Sequence, residues 1–186
     1  MGVLIKDDGS RFDGYWKNDK INGIGRMIYS NGDVYFGEWV NNMHEGKGTL
    51  TLWDGTVYEG ELKENKENGN GTKIWKDGSK YQGGHKDGKK DGFGWFKWND
   101  GSEYRGMLMD DKLHGEGTYK WLDGREYSGN WVLNQMHGKG IYTYSDGSKY
   151  EGTWITDAKN GQGTYTNAEG QPEVQNWDNG TRVDNL

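Results

Sequence analysis

The chain has no cysteine and only one proline in 186 residues. Without cysteine there are no disulfides, thiolate nucleophiles or zinc–thiolate centres, as is common in reducing compartments. No apolar run approaches the ~20 residues that a membrane-spanning helix needs. The amino terminus, MGVLIKDDGSRF, lacks the apolar core of a signal peptide. We therefore predict a cytoplasmic protein whose fold is held without covalent cross-links.

Positive charge is also scarce. The chain has 23 Lys plus Arg against 29 Asp plus Glu, a net charge of -6 at pH 7. Its densest basic stretch, Lys86 to Lys90, is interrupted by Asp87, whereas anionic lipid recognition uses clusters of about 4 to 8 basic residues. This balance argues against nucleic acid as a partner and makes membrane lipid a disfavoured one.

Glycine and aromatic residues are abundant, and both recur at intervals of 23 residues. Each interval begins with Tyr-x-Gly or Phe-x-Gly, continues to Gly-x-Gly, and ends with Asp-Gly or a related pair. Such a fixed period is typical of repeat architectures. We predict a single array over residues 1–186. Its parts are a half-repeat cap at 1–11, repeats at 12–34, 35–57, 58–80, 81–103, 104–126, 127–149 and 150–172, and a degenerate cap at 173–186.

Residues alternate in character within each repeat, as from Tyr127 to Trp131, where aromatics and glycine share one face. Period-two alternation predicts strands. Asp-Gly predicts a two-residue turn with positive φ at both positions, and we expect the other connection, from Val132 to Gly138, to be longer. The fold class is thus all-β: an elongated, twisted, single-layer antiparallel meander of about 15 or 16 strands. Pro172 should mark the closing edge strand.

No arrangement of residues indicates catalysis. His114 and His137 occupy one position in successive repeats, so two strand spacings put them ~9.5 Å apart, too far to share a zinc ion. His85 interrupts a row of Trp and Leu, either as local variation of the repeat or as a partner contact. Gly-x-Gly follows a loop and opens no helix, which argues against a phosphate site. We predict no enzyme, catalytic residue, metal or cofactor.

The aromatic face is the candidate site. A single-layer sheet leaves part of its rings uncovered, and exposed apolar surface is typical of binding sites. Tyr and Trp are effective anchors because they lose little rotamer entropy on binding. A helix or extended peptide laid across the strands would contact several repeats. The predicted partner-binding residues are Trp75, Phe96, Trp98, Tyr119, Trp121, Tyr142 and Tyr144.

The pattern Tyr-x-Gly-x-Trp-x6-Gly-x-Gly, as it stands from Tyr150 to Gly163, resembles the membrane occupation and recognition nexus (MORN) repeat over essentially the whole chain. The resemblance implies a single-layer sheet that holds partner peptides in an aromatic groove, forms homodimers, or scaffolds ciliary and cytoskeletal assemblies. The expected function is therefore a non-enzymatic scaffold that docks protein segments, within a ciliary, axonemal (radial-spoke-like) or cytoskeletal assembly. Because MORN repeats also accompany phosphoinositide kinases, phosphoinositide-dependent membrane recruitment is the alternative.

Overall fold

The computed structural model describes residues 1–183, which contain strands but no helix, and so no helix able to cross a membrane. The chain divides into two compact units, Met1–Asp91 and Gly92–Leu186, with the division inside the ninth strand. The strands are β1 (Gly2–Ile5), β2 (Arg11–Lys17), β3 (Lys20–Ile28), β4 (Val34–Val40), β5 (Met43–Thr51), β6 (Val57–Lys63), β7 (Lys66–Ile74), β8 (Lys80–Lys86), β9 (Lys89–Lys97), β10 (Glu103–Met109), β11 (Lys112–Lys120), β12 (Glu126–Val132), β13 (Gln135–Thr143), β14 (Lys149–Ile155), β15 (Ala158–Thr166), β16 (Pro172–Asp178) and β17 (Thr181–Arg182).

Within each unit, consecutive strands pair antiparallel. In the first unit this holds from β1 to β8. In the second unit it holds from β9 to β17. The predicted all-β antiparallel meander is therefore confirmed. The prediction of one array over the whole chain stays a prediction.

The end of the array differs from the prediction. Pro172 begins β16, where it faces Thr166 of β15, but β16 is not the closing strand. The chain turns once more, and Arg182 of β17 pairs with Trp177. Proline at the first position of a strand does not block the ladder further along it, so the strand can continue and gain a partner on its other side.

The core is built around the Tyr or Phe ring that opens each repeat, and we call the sheet face that carries these rings the front face. Tyr127 lies flat over Gly129 and Gly140, which face each other on β12 and β13. A Cβ on Gly140 would overlap the Tyr127 ring, so only glycine fits beneath it. The Tyr127 hydroxyl donates a hydrogen bond to the carbonyl of Asn130 at 3.1 Å. The equivalent rings, all 0–1% exposed, are Phe12, Tyr35, Tyr58, Tyr81, Tyr104 and Tyr150.

The two connections of the hairpins are the reverse of the prediction. Asp-Gly lies in a three-residue loop in which only the glycine has positive φ, as at Gly55 with φ 92°. The Gly55 N–H donates to the Leu52 carbonyl, and Leu52 N–H donates to the Thr56 carbonyl. The tight two-residue turn lies at the other connection, where Leu133 and Asn134 have φ values of 50° and 73°. The packing of tyrosine on glycine sets the register of the paired strands. This register leaves only two residues for the connection at Leu133 and Asn134, although Leu disfavours positive φ.

Most of the two-residue turns are also joined to the hairpin before them. The backbone N–H of Asn134 donates to the Leu113 carbonyl at 3.0 Å, and its side-chain Oδ1 accepts from the Leu113 N–H at 2.8 Å. The same pair of bonds joins Asn65 to His44. Successive repeats are thus linked by polar contacts at one end of the strands as well as by ring packing.

Candidate functional site

Six of the seven predicted site residues form one continuous row of rings on the front face of the second unit, and we call this row the aromatic ladder. Its consecutive centroids are 4.3 Å apart for Phe96–Trp98, 5.2 Å for Trp98–Tyr119 and 4.7 Å for Tyr119–Trp121. The row continues at 5.6 Å for Trp121–Tyr142 and 4.9 Å for Tyr142–Tyr144. All six side chains are half-buried.

The ladder is supported from beneath by buried rings of the first strands of the repeats. Tyr119 lies 6.2 Å from Trp131, and Tyr142 lies 5.8 Å from Trp154. Trp131 and Trp154 are 4% exposed and donate their indole N–H to the carbonyls of Gly117 and Gly140. One layer of rings is therefore core, and the ladder above it keeps an accessible side. Because the ladder packs on this buried layer, its rings lose little further freedom when a ligand binds, which suits a preformed docking surface.

Two cations are fixed against the ladder. Arg125 lies over the Trp121 ring at 5.3 Å and donates through Nη1 to the Tyr142 hydroxyl at 3.1 Å. Lys159 donates through Nζ to the Tyr144 hydroxyl at 2.8 Å. Its ammonium also lies 4.3 Å from the centroids of two further rings, Tyr150 and Trp177. Burial lowers the pKa of Lys159.

Trp75, the seventh predicted residue, belongs to the first unit and has polar neighbours. The Lys73 ammonium lies 5.9 Å from the Trp75 ring and 2.7 Å from Oε1 of Glu67. Glu67 also lies 3.4 Å from Nε2 of His85. Trp75 thus lies beside a polar cluster of Glu67, Lys73 and His85 and is not part of the aromatic ladder.

His85 is core. It is 4% exposed and lies edge-on to Tyr58 and Tyr81, with centroids 5.2 and 5.1 Å away. Burial lowers its pKa. A side chain so enclosed cannot touch a partner, which favours the interpretation of local repeat variation. Among residues 1–183 no group of three His, Cys, Asp or Glu is arranged to hold a metal ion.

The sequence reasoning missed a row of front-face residues that pair with the Trp row. The row is recognisable only by position, because its chemistry changes from repeat to repeat. Its members are Ile21, His44, Glu67, Lys90, Leu113, Met136, Lys159 and Arg182. Lys90 lies 5.7 Å from the Trp75 ring and 5.8 Å from the Tyr81 ring. The basic stretch from Lys86 to Lys90 therefore turns one of its three lysines onto the aromatic face, which weakens the case for a lipid headgroup site.

The opposite, or reverse, face of the second unit carries a groove of about 790 Å³. Side chains of mixed charge line it, including Arg105, Glu116, Lys139 and Glu151, with glycine pairs between them. Phe93, 65% exposed, lies at this groove. Because the charges balance and aromatic anchors are few, the groove offers a partner fewer apolar contacts than the ladder does.

The fold and the ladder define a class of protein: a repeat array that packs one hairpin on the next and exposes rings on one face. The chain belongs to the MORN repeat family, whose model matches residues 12–34, 35–57, 58–80, 81–103, 104–124, 127–149 and 150–171. A search of curated protein sequences gives no significant match.

The solved structures that are similar to this chain include the following two. One is the SAS-4 (dCPAP) TCP domain of Drosophila melanogaster in complex with a proline-rich motif of Ana2 (dSTIL). It is 12% identical with a TM-score of 0.52, over 93% of this chain and 88% of that one. The other is the TCP10 domain of Danio rerio CPAP in complex with a peptide of STIL. It is 15% identical with a TM-score of 0.30, over 97% and 91% of the two chains. At such identity the first structure shows a shared fold alone.

Proposed function

We propose that this chain is a non-enzymatic interaction module that docks a segment of a partner protein on the aromatic ladder. The observation that carries the proposal is the unbroken run of six half-buried rings from Phe96 to Tyr144, supported by a separate buried layer. Half-exposed Trp and Tyr rings held rigidly are typical anchors of protein interfaces. The fold neighbour with a bound peptide motif is in keeping with this use of a repeated sheet.

We further propose, on the analogy of the MORN family, that the partner belongs to a ciliary, axonemal or cytoskeletal assembly. This part is tested separately, by localising a tagged full-length chain in ciliated cells. Concentration on the axoneme or another cytoskeletal structure is expected, and diffuse staining would contradict it.

The test of docking is the double variant Trp98→Ala with Trp121→Ala. Partner proteins that co-purify with the full chain are quantified by mass spectrometry, and stability is measured in parallel by chemical denaturation. We expect recovery to fall at least tenfold while the variant stays folded, because the two rings lie above the buried layer. Phe93→Ala, which removes an exposed ring from the reverse face, is the matched control and should leave recovery unchanged.

Two results would contradict the proposal. In the first, recovery falls only in proportion to the unfolded fraction, so the two rings are core. In the second, recovery is the same for the double variant and for the wild type, so the partner binds elsewhere.

A further inference from the structure

The accessible side of the aromatic ladder is rich in hydrogen-bond donors. Among residues 1–183 the indole N–H groups of Trp98 and Trp121 have no acceptor, and they are not among the fully buried polar atoms. The Tyr142 hydroxyl already accepts from Arg125, and the Tyr144 hydroxyl accepts from Lys159. Each phenol carries one proton, so both hydroxyls retain it for donation outward. A complementary ligand therefore offers acceptors and few donors.

Proline-rich segments have this chemistry. Each proline contributes a carbonyl but no N–H group. In the polyproline II conformation the backbone forms no internal hydrogen bonds, so its carbonyls face outward. A helical ligand uses its carbonyls within its own helix, and a strand ligand needs a free sheet edge rather than a row of rings. Proline rings also pack well on aromatic faces, and the ladder presents such faces along its whole length.

The spacing of equivalent rings in successive repeats points to the same ligand. Trp98, Trp121 and Tyr144 hold equivalent positions in successive repeats, each separated from the next by two strand spacings, or ~9.6 Å. A polyproline II helix has three residues per turn at ~3.1 Å each, a repeat of ~9.3 Å. An α-helix brings equivalent residues round after seven residues, ~10.5 Å, and a strand after two or four, ~6.7 or ~13 Å. Of these, the polyproline II repeat is the nearest to the ring spacing.

We propose that the aromatic ladder binds a proline-rich segment of the form Pro-x-x-Pro-x-x-Pro in the polyproline II conformation. The segment runs across the strands, one turn per repeat, with successive prolines on Trp98, Trp121 and Tyr144. Its carbonyls accept from the two indoles and the two phenols. This inference rests on the proposed function and adds the chemistry of the partner.

The test is direct binding of synthetic peptides to the full chain, measured by fluorescence anisotropy of a labelled 12-residue Pro-x-x-Pro-x-x-Pro peptide. Two peptides serve as comparisons: one of the same composition with the prolines spaced Pro-x-x-x-Pro-x-x-x-Pro, and one amphipathic helix former. We expect the first peptide to bind at least tenfold more tightly than either, because only its prolines match the spacing of Trp98, Trp121 and Tyr144.

Conservative variants test the donors. Trp121→Phe and Tyr142→Phe keep a ring and remove one donor each, and each should weaken binding about fivefold, the effect of one hydrogen bond of ~1 kcal/mol. Phe93→Ala on the reverse face should bind as the wild type does. Circular dichroism and denaturation confirm that each variant is folded.

The outcomes separate the two proposals. If the two proline spacings bind equally, if the helix former binds best, if no peptide binds, or if the Phe variants bind as the wild type does, the proline-rich assignment is overturned. The proposed function is decided independently by partner recovery with the Trp98→Ala, Trp121→Ala double variant.

Discussion

At the scale of single residues, His44 is a titratable side chain that lies buried among the rings of the front face. It is 6% exposed, stacks on Tyr35 with centroids 3.6 Å apart, and shares a 2.7 Å hydrogen bond between Nε2 and the Tyr29 hydroxyl. Burial lowers the pKa of His44 from 6.5 to about 4. The folded state therefore holds a neutral imidazole at pH values where an unfolded chain would be protonated.

This shift predicts acid sensitivity. Between pH 6.5 and about 4 the unfolded state binds the His44 proton and the folded state does not, so the free energy of unfolding falls as pH falls. Each unit of difference in pKa corresponds to ~1.4 kcal/mol, which gives a loss of up to ~3 kcal/mol across that range. Urea denaturation followed by Trp fluorescence at pH 7, 6, 5 and 4.5 measures it.

His44→Gln is the control for this prediction. Glutamine cannot titrate, so the variant should lose less stability than the wild type between pH 7 and 4.5, whatever its stability at pH 7. His85, whose pKa is also lowered by burial, and the carboxylates contribute equally to both proteins. Identical pH profiles would show that His44 is not the group that titrates.

At the scale of elements, the two-residue turns act as clamps between successive hairpins. Asn134 accepts from the Leu113 N–H at 2.8 Å and donates its own N–H to the Leu113 carbonyl at 3.0 Å. Its φ of 73° lies in the left-handed region, which Asn tolerates better than most residues. Asp157 makes the same two bonds to Met136, so the clamp needs a short side chain with an oxygen acceptor.

Substitution of Asn134 separates the clamp from the backbone conformation. Asn134→Gly keeps the positive φ and loses the acceptor, so it should cost about 1 kcal/mol. Asn134→Ala loses the acceptor and adds left-handed strain, for a total of about 2 kcal/mol. Asn134→Asp keeps the oxygen and should stay within about 0.5 kcal/mol of the wild type. Chemical denaturation ranks the three, and a glycine variant as stable as the wild type would refute the clamp.

The turns also show where local sequence reasoning fails. Strands and their alternation follow from Tyr-x-Gly and Gly-x-Gly, but the kind of turn does not follow from Asp-Gly. In the loop, Asp54 accepts the Thr56 N–H through Oδ1 at 2.8 Å, and only Gly55 takes positive φ. The tight turn instead uses residues such as Thr156, at φ 50°, which no local signal marks. Packing of distant rings on glycine fixes the register, and the turns follow from it.

The candidate site could also be predicted only in part from the sequence. The aromatic ladder could be predicted because its rings recur at a fixed period on one face of the strands. The row containing Glu67 and Lys159 could not be predicted, because its position holds Ile, His, Glu, Lys, Leu, Met or Arg in different repeats, so no residue type marks it. Its contacts with the rings depend on strand pairing, which brings Lys159 opposite Trp154. Contact across a hairpin, rather than residue type, is what gives this row its role.

At the scale of the whole molecule, each strand contacts mainly its sequence neighbours, so stability is expected to be local. In repeat arrays the free energy is close to a sum of repeat and nearest-neighbour contributions. Gly140→Ala tests this, because the added Cβ would overlap the fully buried Tyr127 ring. Overpacking of a rigid core costs about 3 kcal/mol. Hydrogen exchange should therefore accelerate in β12 to β15 and stay unchanged in β2 to β5.

Gly147→Ala is the matched control for that experiment. Nothing lies within 4 Å of a Cβ at Gly147, and its φ of 87° makes alanine strained but not overpacked. We expect a cost of about 1 kcal/mol and a smaller rise in exchange, confined to the hairpin of β13 and β14. Mass spectrometry of peptic fragments resolves the strands. If Gly140→Ala raised exchange equally in β2 to β5, the 183 described residues would unfold as one cooperative body rather than repeat by repeat.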